Sequence, residues 1–301
     1  ILAISAVEVF EEEIFAKNGI PIEHGPMDQR MGTTESTEQC YTCGNHHDSI
    51  DPLNCCPGHF GRIQLASPVP NWLYLQGNGY VGNPNSPLSF AVNHVCHHCK
   101  EVRLSNDDME EIGRVVEDIH SNNANQFGLD QIRKLTKAAV KKHTTDIRRK
   151  EKMFMCPRCN EESPLLEWSH MFKLWFIRAP KSARTDNAAN VPMGPIYSLL
   201  ENIPTNQHKF LGFFGNSKPS DMYWTVLPVA PITARPTDEN EDGTLEINDL
   251  TLLYQNILEV NNKIIRRKQS GYEWQYLEKN LYKRCSHIIT SGNVALGAGG
   301  V

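Results

Sequence analysis

Four short chelating pairs constrain this chain more than any other feature. Cys40/Cys43, Cys96/Cys99 and Cys156/Cys159 each hold two cysteines with two residues between them, and Cys56-Pro57-Gly58-His59 offers a thiolate and an imidazole at the same separation. Two donors so spaced on a tight knuckle reach a metal ion from one side, and a second knuckle closes the tetrahedron, so four pairs suit two structural zinc sites. The order of the pairs predicts Cys40, Cys43, Cys56 and His59 as one set and Cys96, Cys99, Cys156 and Cys159 as the other, with crossed pairings open. Only Cys56 has the two-residue spacing to His59, which leaves Cys55 spare but still an alternative ligand, and His97 or His98 could replace a thiolate in the second set. A knuckle needs a residue tolerant of positive φ just after its second donor. Gly44 and Asn160 suit that position, and Lys100 suits it less well.

Disulfides and redox chemistry fit the nine cysteines poorly. The count is odd, and Cys156-Pro157-Arg158-Cys159, which looks like an oxidoreductase motif, has no βαβ pattern around it. Cys285 has no partner and is expected to be a core thiol. The apolar start, Ile1 to Val7, lacks a basic leader and runs into Glu8 and Glu11-Glu12-Glu13, so the chain reads as intracellular. No stretch of 18 apolar residues offers a membrane span. With 301 residues, 40% of them hydrophobic, the chain is not wholly disordered and has length for two domains. Its net charge of -5 means that any nucleic-acid contact must come from a local basic patch.

Periodicity predicts an α+β fold. Ile4 to Ile14 alternates and then turns into an acidic helix start, and Arg62 to Ala66 reads as a strand ended by Pro68 and Pro70. Gln76 to Pro87, rich in Gly, Pro and Asn, reads as a loop. Ser105 to Asp108 supplies caps for a helix carrying Met109, Ile112, Val116 and Ile119, and a second helix from near Leu129 carries Ile132, Leu135 and Ala139. That second helix opens the most basic stretch: Arg133, Lys134, Lys137, Lys141 and Lys142, then Arg148, Arg149, Lys150 and Lys152. Such charge suits either a solvated face or phosphate contacts.

Beyond it, Trp168 to Pro180 reads as core strand, Lys181 to Asn190 as a loop and Tyr223 to Leu227 as a strand. Pro228, Pro231 and Pro236 mark an extended connector, and Asp238 to Gly243 an acidic turn. A long amphipathic helix follows, capped by Asn248 or Asp249, with Leu250, Leu253, Ile257, Val260 and Ile264. A second stripe of Trp274, Leu277, Leu281, Cys285 and Ile288 suits an antiparallel hairpin with it, and equally two helices packed on a core.

Met27-Asp28-Gln29-Arg30-Met31-Gly32, Cys40-Tyr41-Thr42-Cys43-Gly44 with Cys56-Pro57-Gly58-His59-Phe60-Gly61, Val226-Leu227-Pro228-Val229-Ala230-Pro231 with Ala234-Arg235-Pro236, and Asn248-Asp249-Leu250-Thr251 together resemble one family. It is the N-terminal clamp region of the largest subunit of multisubunit DNA-directed RNA polymerases, of the archaeal, eukaryotic and large-virus type. Gln29 stands where that family usually has proline, Arg62 where histidine is common, and the spacer between Cys43 and Cys56 is longer than usual.

The resemblance implies a zinc-braced clamp core over 1–75 and 181–247, a clamp head over 76–180 with the second zinc site, a helical hairpin over 248–290 (the clamp coiled coil) and a tail over 291–301. It implies a nucleotidyltransferase assembly containing the second-largest subunit, template DNA, the RNA–DNA hybrid, and initiation and elongation factors, in nucleus, cytoplasm or virion according to source. The family's N-A-D-F-D-G-D loop, whose aspartates hold catalytic Mg2+, is absent from the 301 residues, so the metal is expected elsewhere in the assembly and this chain would not polymerise RNA alone. Charge, not motif, makes Arg133, Lys134, Lys137, Lys141, Lys142, Arg266, Arg267 and Lys268 the candidate nucleic-acid contacts.

Two other functions compete. A ubiquitin-ligase ring domain would need another cysteine within about three residues of the histidine, yet Phe60-Gly61-Arg62 intervenes and the next is Cys96. A free-standing zinc-binding DNA-binding or scaffold module related to the clamp is the alternative that remains.

Overall fold

A computed structural model describes residues 1–35, 37–47, 55–77, 80–81, 85–121, 126–142, 153–177, 190–240 and 245–297. The chain begins with β1 (Ser5–Glu8), β2 (Phe60–Pro70), α1 (Trp72–Leu75), β3 (Gln76–Gly77), β4 (Tyr80–Val81), α2 (Pro87–His94), α3 (Asn106–Ser121), α4 (Gln126–Lys142) and β5 (Met153–Met155). It continues with β6 (Glu162–Pro164), β7 (Leu166–Ser169), β8 (Leu174–Ile177), β9 (Asn190–Val191), α5 (Met193–Glu201), β10 (Tyr223–Val229), β11 (Asp238–Glu239), β12 (Leu245–Glu246), α6 (Asp249–Gln269) and α7 (Glu278–Gly297). The result is a mixed α+β chain of helices and small sheets that divides into two compact units, Ile1–Val69 with Trp224–Val301, and Pro70–Tyr223. Among the described residues no helix is long and apolar enough to cross a membrane.

In the first unit β2 lies between β1 and β10. Its odd positions, Ile63, Leu65, Ser67 and Val69, are buried in the alternation that the sequence shows. β1 pairs with only the start of β2, in parallel, ending at Glu8↔Arg62. Beyond that point the open edge is taken by α6: Asn261 accepts from Ala66 N through Oδ1 (2.7 Å) and donates through Nδ2 to Gln64 O (3.0 Å). A buried amide on the helix thus replaces a missing strand and covers a sheet edge. The same edge explains why Pro68 does not end β2, contrary to the sequence expectation. The backbone groups of residues 64, 66 and 68 point to one side of the strand, where no ladder exists to lose a hydrogen bond.

Asn248 caps α6 by accepting from Leu250 N at 3.0 Å, and Thr251, Tyr254, Ile257, Leu258, Val260 and Ile264 face the core. α7 turns back along α6, Arg284 Nη1 reaching Asn256 O at 2.8 Å, and Leu281, Tyr282 and Cys285 are buried. At the start of α7, Ser67 Oγ donates to the buried Glu278 at 2.6 Å. The expected acidic helix start at Glu11-Glu12-Glu13 is not helical. Phe10 N and Glu11 N both donate to His24 O at 3.0 Å, which ties this segment to the chain at His24 and not into a helical turn.

The second unit holds α1 to α5 and the short hairpins β3–β4, β5–β6 and β7–β8–β9. The stretch read as a loop before Pro87 contains β3 and β4, and α2 begins where it ends. Ser86 caps α2, accepting from Ser89 N at 3.3 Å with Pro87 in the first turn, a start signal hidden by the surrounding Gly, Pro and Asn. Asn93 then ties α2 to β7, accepting from Leu166 N (2.7 Å) and donating to Leu166 O (2.9 Å). The expected continuous strand from Trp168 is a hairpin: residues 170–173 turn, with Lys173 at φ 56°, and Met171 and Phe172 are exposed. Trp175 packs edge-on against Trp168 at 5.5 Å and donates to Tyr223 OH at 3.0 Å. Residues 178–180 of that expectation, 181–189 of the expected loop, 241–243 of the expected turn and 298–301 of the expected tail lie outside the described residues.

Candidate metal centres

Each unit carries one cluster of four donors. In the first, Cys40, Cys43, Cys56 and His59 bring their ligand atoms within 4.8 Å of one another. The Cys40 knuckle closes on itself: Gly44 N donates to Cys40 O (2.8 Å), Cys40 N donates to Asn45 O (2.9 Å), and Gly44 takes φ 73°. The other half is held from a distance. His59 N donates to Met31 O (3.1 Å), Cys56 N to His46 O (2.8 Å), and Gly58 N to Cys56 Sγ (3.4 Å). Gly58 has φ 78°, and a Cβ there would strike Thr233 Oγ1 and lie 2.5 Å from Pro231 Cβ, so the cluster sits against the segment after β10. Cys55 turns the other way, its thiol donating to His47 O at 2.6 Å.

The second cluster, Cys96, Cys99, Cys156 and Cys159, is built from two knuckles of one design. Lys100 N donates to Cys96 O (3.0 Å) and Cys96 N to Glu101 O (2.8 Å); Asn160 N donates to Cys156 O (2.9 Å) and Cys156 N to Glu161 O (2.9 Å). Lys100 adopts φ 64° and Asn160 φ 61°, so lysine takes the left-handed position despite its Cβ. Sulfurs from opposite knuckles lie 3.6 Å (Cys96–Cys159) and 3.8 Å (Cys99–Cys156) apart. A tetrahedron with metal–sulfur bonds of about 2.3 Å has edges of about 3.8 Å, whereas a disulfide needs about 2.05 Å.

The donor sets therefore fit a tetrahedral cation, and their electrostatics ask for one. Burial opposes ionisation at these thiols, yet at Cys96 the N–H groups of Cys99 and His98 and the hydroxyl of Ser163 overcome it and hold the thiol at about 7. Burial, with Cys156 and Cys96 as neighbours, pushes Cys99 well up. Cys43 is held at about 7 against burial, chiefly by His59, while burial and its sulfur neighbours raise Cys56 to about 12. Four donors so crowded do not all ionise unaided; a bound dication would let them.

The basic candidates scatter. Lys134 and Lys141 are exposed with no ion pair among the described residues, and Lys137 donates to Asn85 Oδ1 at 2.8 Å. Lys142 pairs with Asp108 at 2.8 Å, and the half-buried Arg133 with Asp130 at 3.5 Å. In the first unit Arg266 pairs with Glu12 at 2.6 Å, Arg267 lies over Tyr276, and Lys268 lies 4.0 Å from the Trp274 ring centre. Arg148, Arg149, Lys150 and Lys152 lie outside the described residues.

Sequence reasoning gave no role to Arg235. It is fully buried and donates to Ala230 O (2.9 Å), Thr251 Oγ1 (2.8 Å) and Pro26 O (2.5 Å), with Tyr254 beneath it at 5.5 Å. It thereby joins the Met27–Met31 element, the segment after β10 and the start of α6 behind the first cluster.

A frame of small sheets and helices carrying two separate four-donor clusters defines the class, and comparison with known proteins gives it a family. The family described as RNA polymerase Rpb1, domain 1, matches residues 1–287, and the chain belongs to that family. Among its relatives are DNA-directed RNA polymerase subunit Rpo1N of Thermococcus celer, 27% identical over 290 residues (96% of this chain, 28% of the relative), and that of Thermoplasma acidophilum, 29% identical over 271 residues (89% and 27%). DNA-directed RNA polymerase II subunit RPB1 of Euplotoides octocarinatus is 29% identical over 268 residues (88% and 51%). The chain thus spans about a quarter to a half of the length of these relatives.

Proposed function

We propose that this chain is the clamp part of the largest subunit of a DNA-directed RNA polymerase, closing over template DNA and the RNA–DNA hybrid during transcription. The family match over residues 1–287 carries this reading, and the two donor clusters support it. Zinc is the metal, held by Cys40, Cys43, Cys56 and His59 and by Cys96, Cys99, Cys156 and Cys159. A closed tetrahedral ion of this kind supplies no chemistry to a reaction and stiffens the knuckles that hold it.

The catalytic Mg2+ and its aspartates belong elsewhere in the assembly, since the N-A-D-F-D-G-D string does not occur here. The α6–α7 pair is the clamp coiled coil, to which initiation and elongation factors bind, and the second-largest subunit is the main structural partner. Lys134 and Lys141, exposed on α4, are the first candidates for phosphate contacts. Arg266, Lys268 and Lys142 already have partners within the chain.

Affinity purification of this polypeptide from its source, followed by native mass spectrometry, tests the assignment. Recovery with other large polymerase subunits is expected, and a lone species carrying two zinc ions would replace the clamp with a detached DNA-binding module. Within the complex, Lys134→Ala with Lys141→Ala should lower the salt dependence of DNA binding by about two units of slope, one for each lost phosphate contact. An unchanged slope would remove this helix from the nucleic-acid path.

A further inference from the structure

The two clusters differ in what lies just behind the sulfurs. Ser163 on β6 is fully buried, and its Oγ accepts from His97 N at 3.0 Å while lying 3.7 Å from Cys96 Sγ. A serine hydroxyl has one proton; with a lone pair occupied by His97 N–H, that proton is directed to the sulfur.

We propose that Ser163 is a positioning residue of the four-cysteine centre, and that it makes this centre the slower of the two to release its metal. The inference rests on both clusters holding zinc.

The charge balance explains why this centre needs it. Four thiolates around a dication leave two negative charges in surplus inside the second unit, whereas three thiolates and a neutral imidazole leave one. Surplus charge in a buried place is costly unless hydrogen bonds and a countercharge meet it. Ser163 supplies a hydroxyl hydrogen bond in addition to the backbone N–H groups. The first cluster meets water more directly: Cys43 is exposed, whereas every donor of the second cluster is buried or half-buried. Groups that hydrogen-bond a metal ligand orient it and hold its charge, and losing one commonly costs ten- to a hundredfold in metal affinity.

The test uses the full chain loaded with zinc or with cadmium-113. Metal analysis should first give two ions per chain; fewer would overturn the zinc reading and this inference with it. In the cadmium form the three-sulfur and four-sulfur centres give separate resonances, and a chelator should erase the three-sulfur signal first. The reverse order in the unaltered chain would overturn the inference without any variant and leave the zinc reading intact.

Ser163→Ala should speed release from the four-sulfur centre by about tenfold and shift its resonance, with the other resonance unmoved. Ser163→Thr, which restores the hydroxyl, should return both. An unchanged rate and resonance in Ser163→Ala would remove Ser163 from the centre and overturn the inference.

Discussion

The two donor clusters reach the same number of ligands by opposite routes. The second is nearly self-sufficient: each Cys-x2-Cys knuckle makes its own pair of backbone hydrogen bonds, and β5 and β6 extend directly from the Cys156 knuckle. The first has one such knuckle, at Cys40. Its other half, Cys56-Pro57-Gly58-His59, is shaped by the nearby His46 and by Met31, Pro231 and Thr233, which come from farther away in the sequence. A knuckle that closes on itself is shaped by spacing, whereas a half-site shaped by contacts from elsewhere depends on the unit around it. Damage near the first cluster should therefore spread through its unit, and damage near the second should stay near the knuckles.

The largest effect that tests this contrast is loss of a ligand. Cys156→Ser and Cys56→Ser should each remove one metal ion per chain, because ligation and folding are linked by an apparent free energy on the order of 10 kcal/mol for structural zinc. Hydrogen exchange should then separate them. Cys156→Ser should open β5, β6 and the Cys96 loop, while Cys56→Ser should also loosen Met31 and the 230–235 segment. Equal spread in both variants would end the distinction between a local and an assembled site.

Arg235→Met comes next. The substitution keeps much of the volume and removes the donors to Pro26 O, Ala230 O and Thr251 Oγ1. Hydrogen bonds from a charged donor contribute about 1.5–3 kcal/mol each and leave unsatisfied buried acceptors when removed, so a loss of about 3 kcal/mol or more is expected. Urea unfolding followed through residues of the first unit would measure it. The second cluster should keep its metal in this variant, and loss there would show that the units are not independent.

The donors now seen together in both clusters could be read from spacing, whereas the contacts with Met31, Pro231 and Thr233 that shape the first could not. The separation of Cys55 from Cys56 could also be argued from spacing, and the structure turns the Cys55 thiol to His47 O. The roles of Arg235 and Asn261 could not be read in this way. Arg235 looks like an ordinary cation beside a proline, and its acceptors lie up to 209 residues away. Asn261 does leave a trace, because a polar residue stands four positions after Ile257, where the stripe calls for an apolar one. The missed α2 start and the persistence of β2 through Pro68 have one cause. Gly, Pro and Asn look like breakers in a sequence, although here Ser86-Pro87 begins a helix and Pro68 faces an edge without a ladder.

Gly58→Ala should show the dependence of the first cluster on its surroundings at smaller scale. The left-handed φ of 78° costs an alanine about 1–2 kcal/mol. The added Cβ must also displace Pro231 or Thr233, and overpacking of this kind costs about 1–3 kcal/mol. Gly44 has φ 73° but nothing within 4 Å of its Cβ direction, so Gly44→Ala should lose only the first amount. A difference between the two variants in metal release from the three-sulfur centre would isolate the packing of Gly58; identical behaviour would show that the contact with Pro231 and Thr233 carries no weight.

The smallest expected change runs in the other direction. Lys100 occupies the same left-handed corner as Gly44, at φ 64°, and carries a Cβ there. Lys100→Gly relieves about 1–2 kcal/mol of backbone cost and adds about 0.5–1 kcal/mol of unfolded-chain entropy. It also removes the bond from Lys100 Nζ to His97 O, which is half exposed and contributes little. A gain between zero and about 1.5 kcal/mol should remain, visible as a small rise in the urea midpoint of the second unit. Asn160→Gly should gain less, because asparagine tolerates this conformation better than lysine. If Lys100→Gly instead weakens the second unit, the lysine side chain and not the corner is what the Cys96 knuckle depends on, and the equivalence of its two knuckles fails.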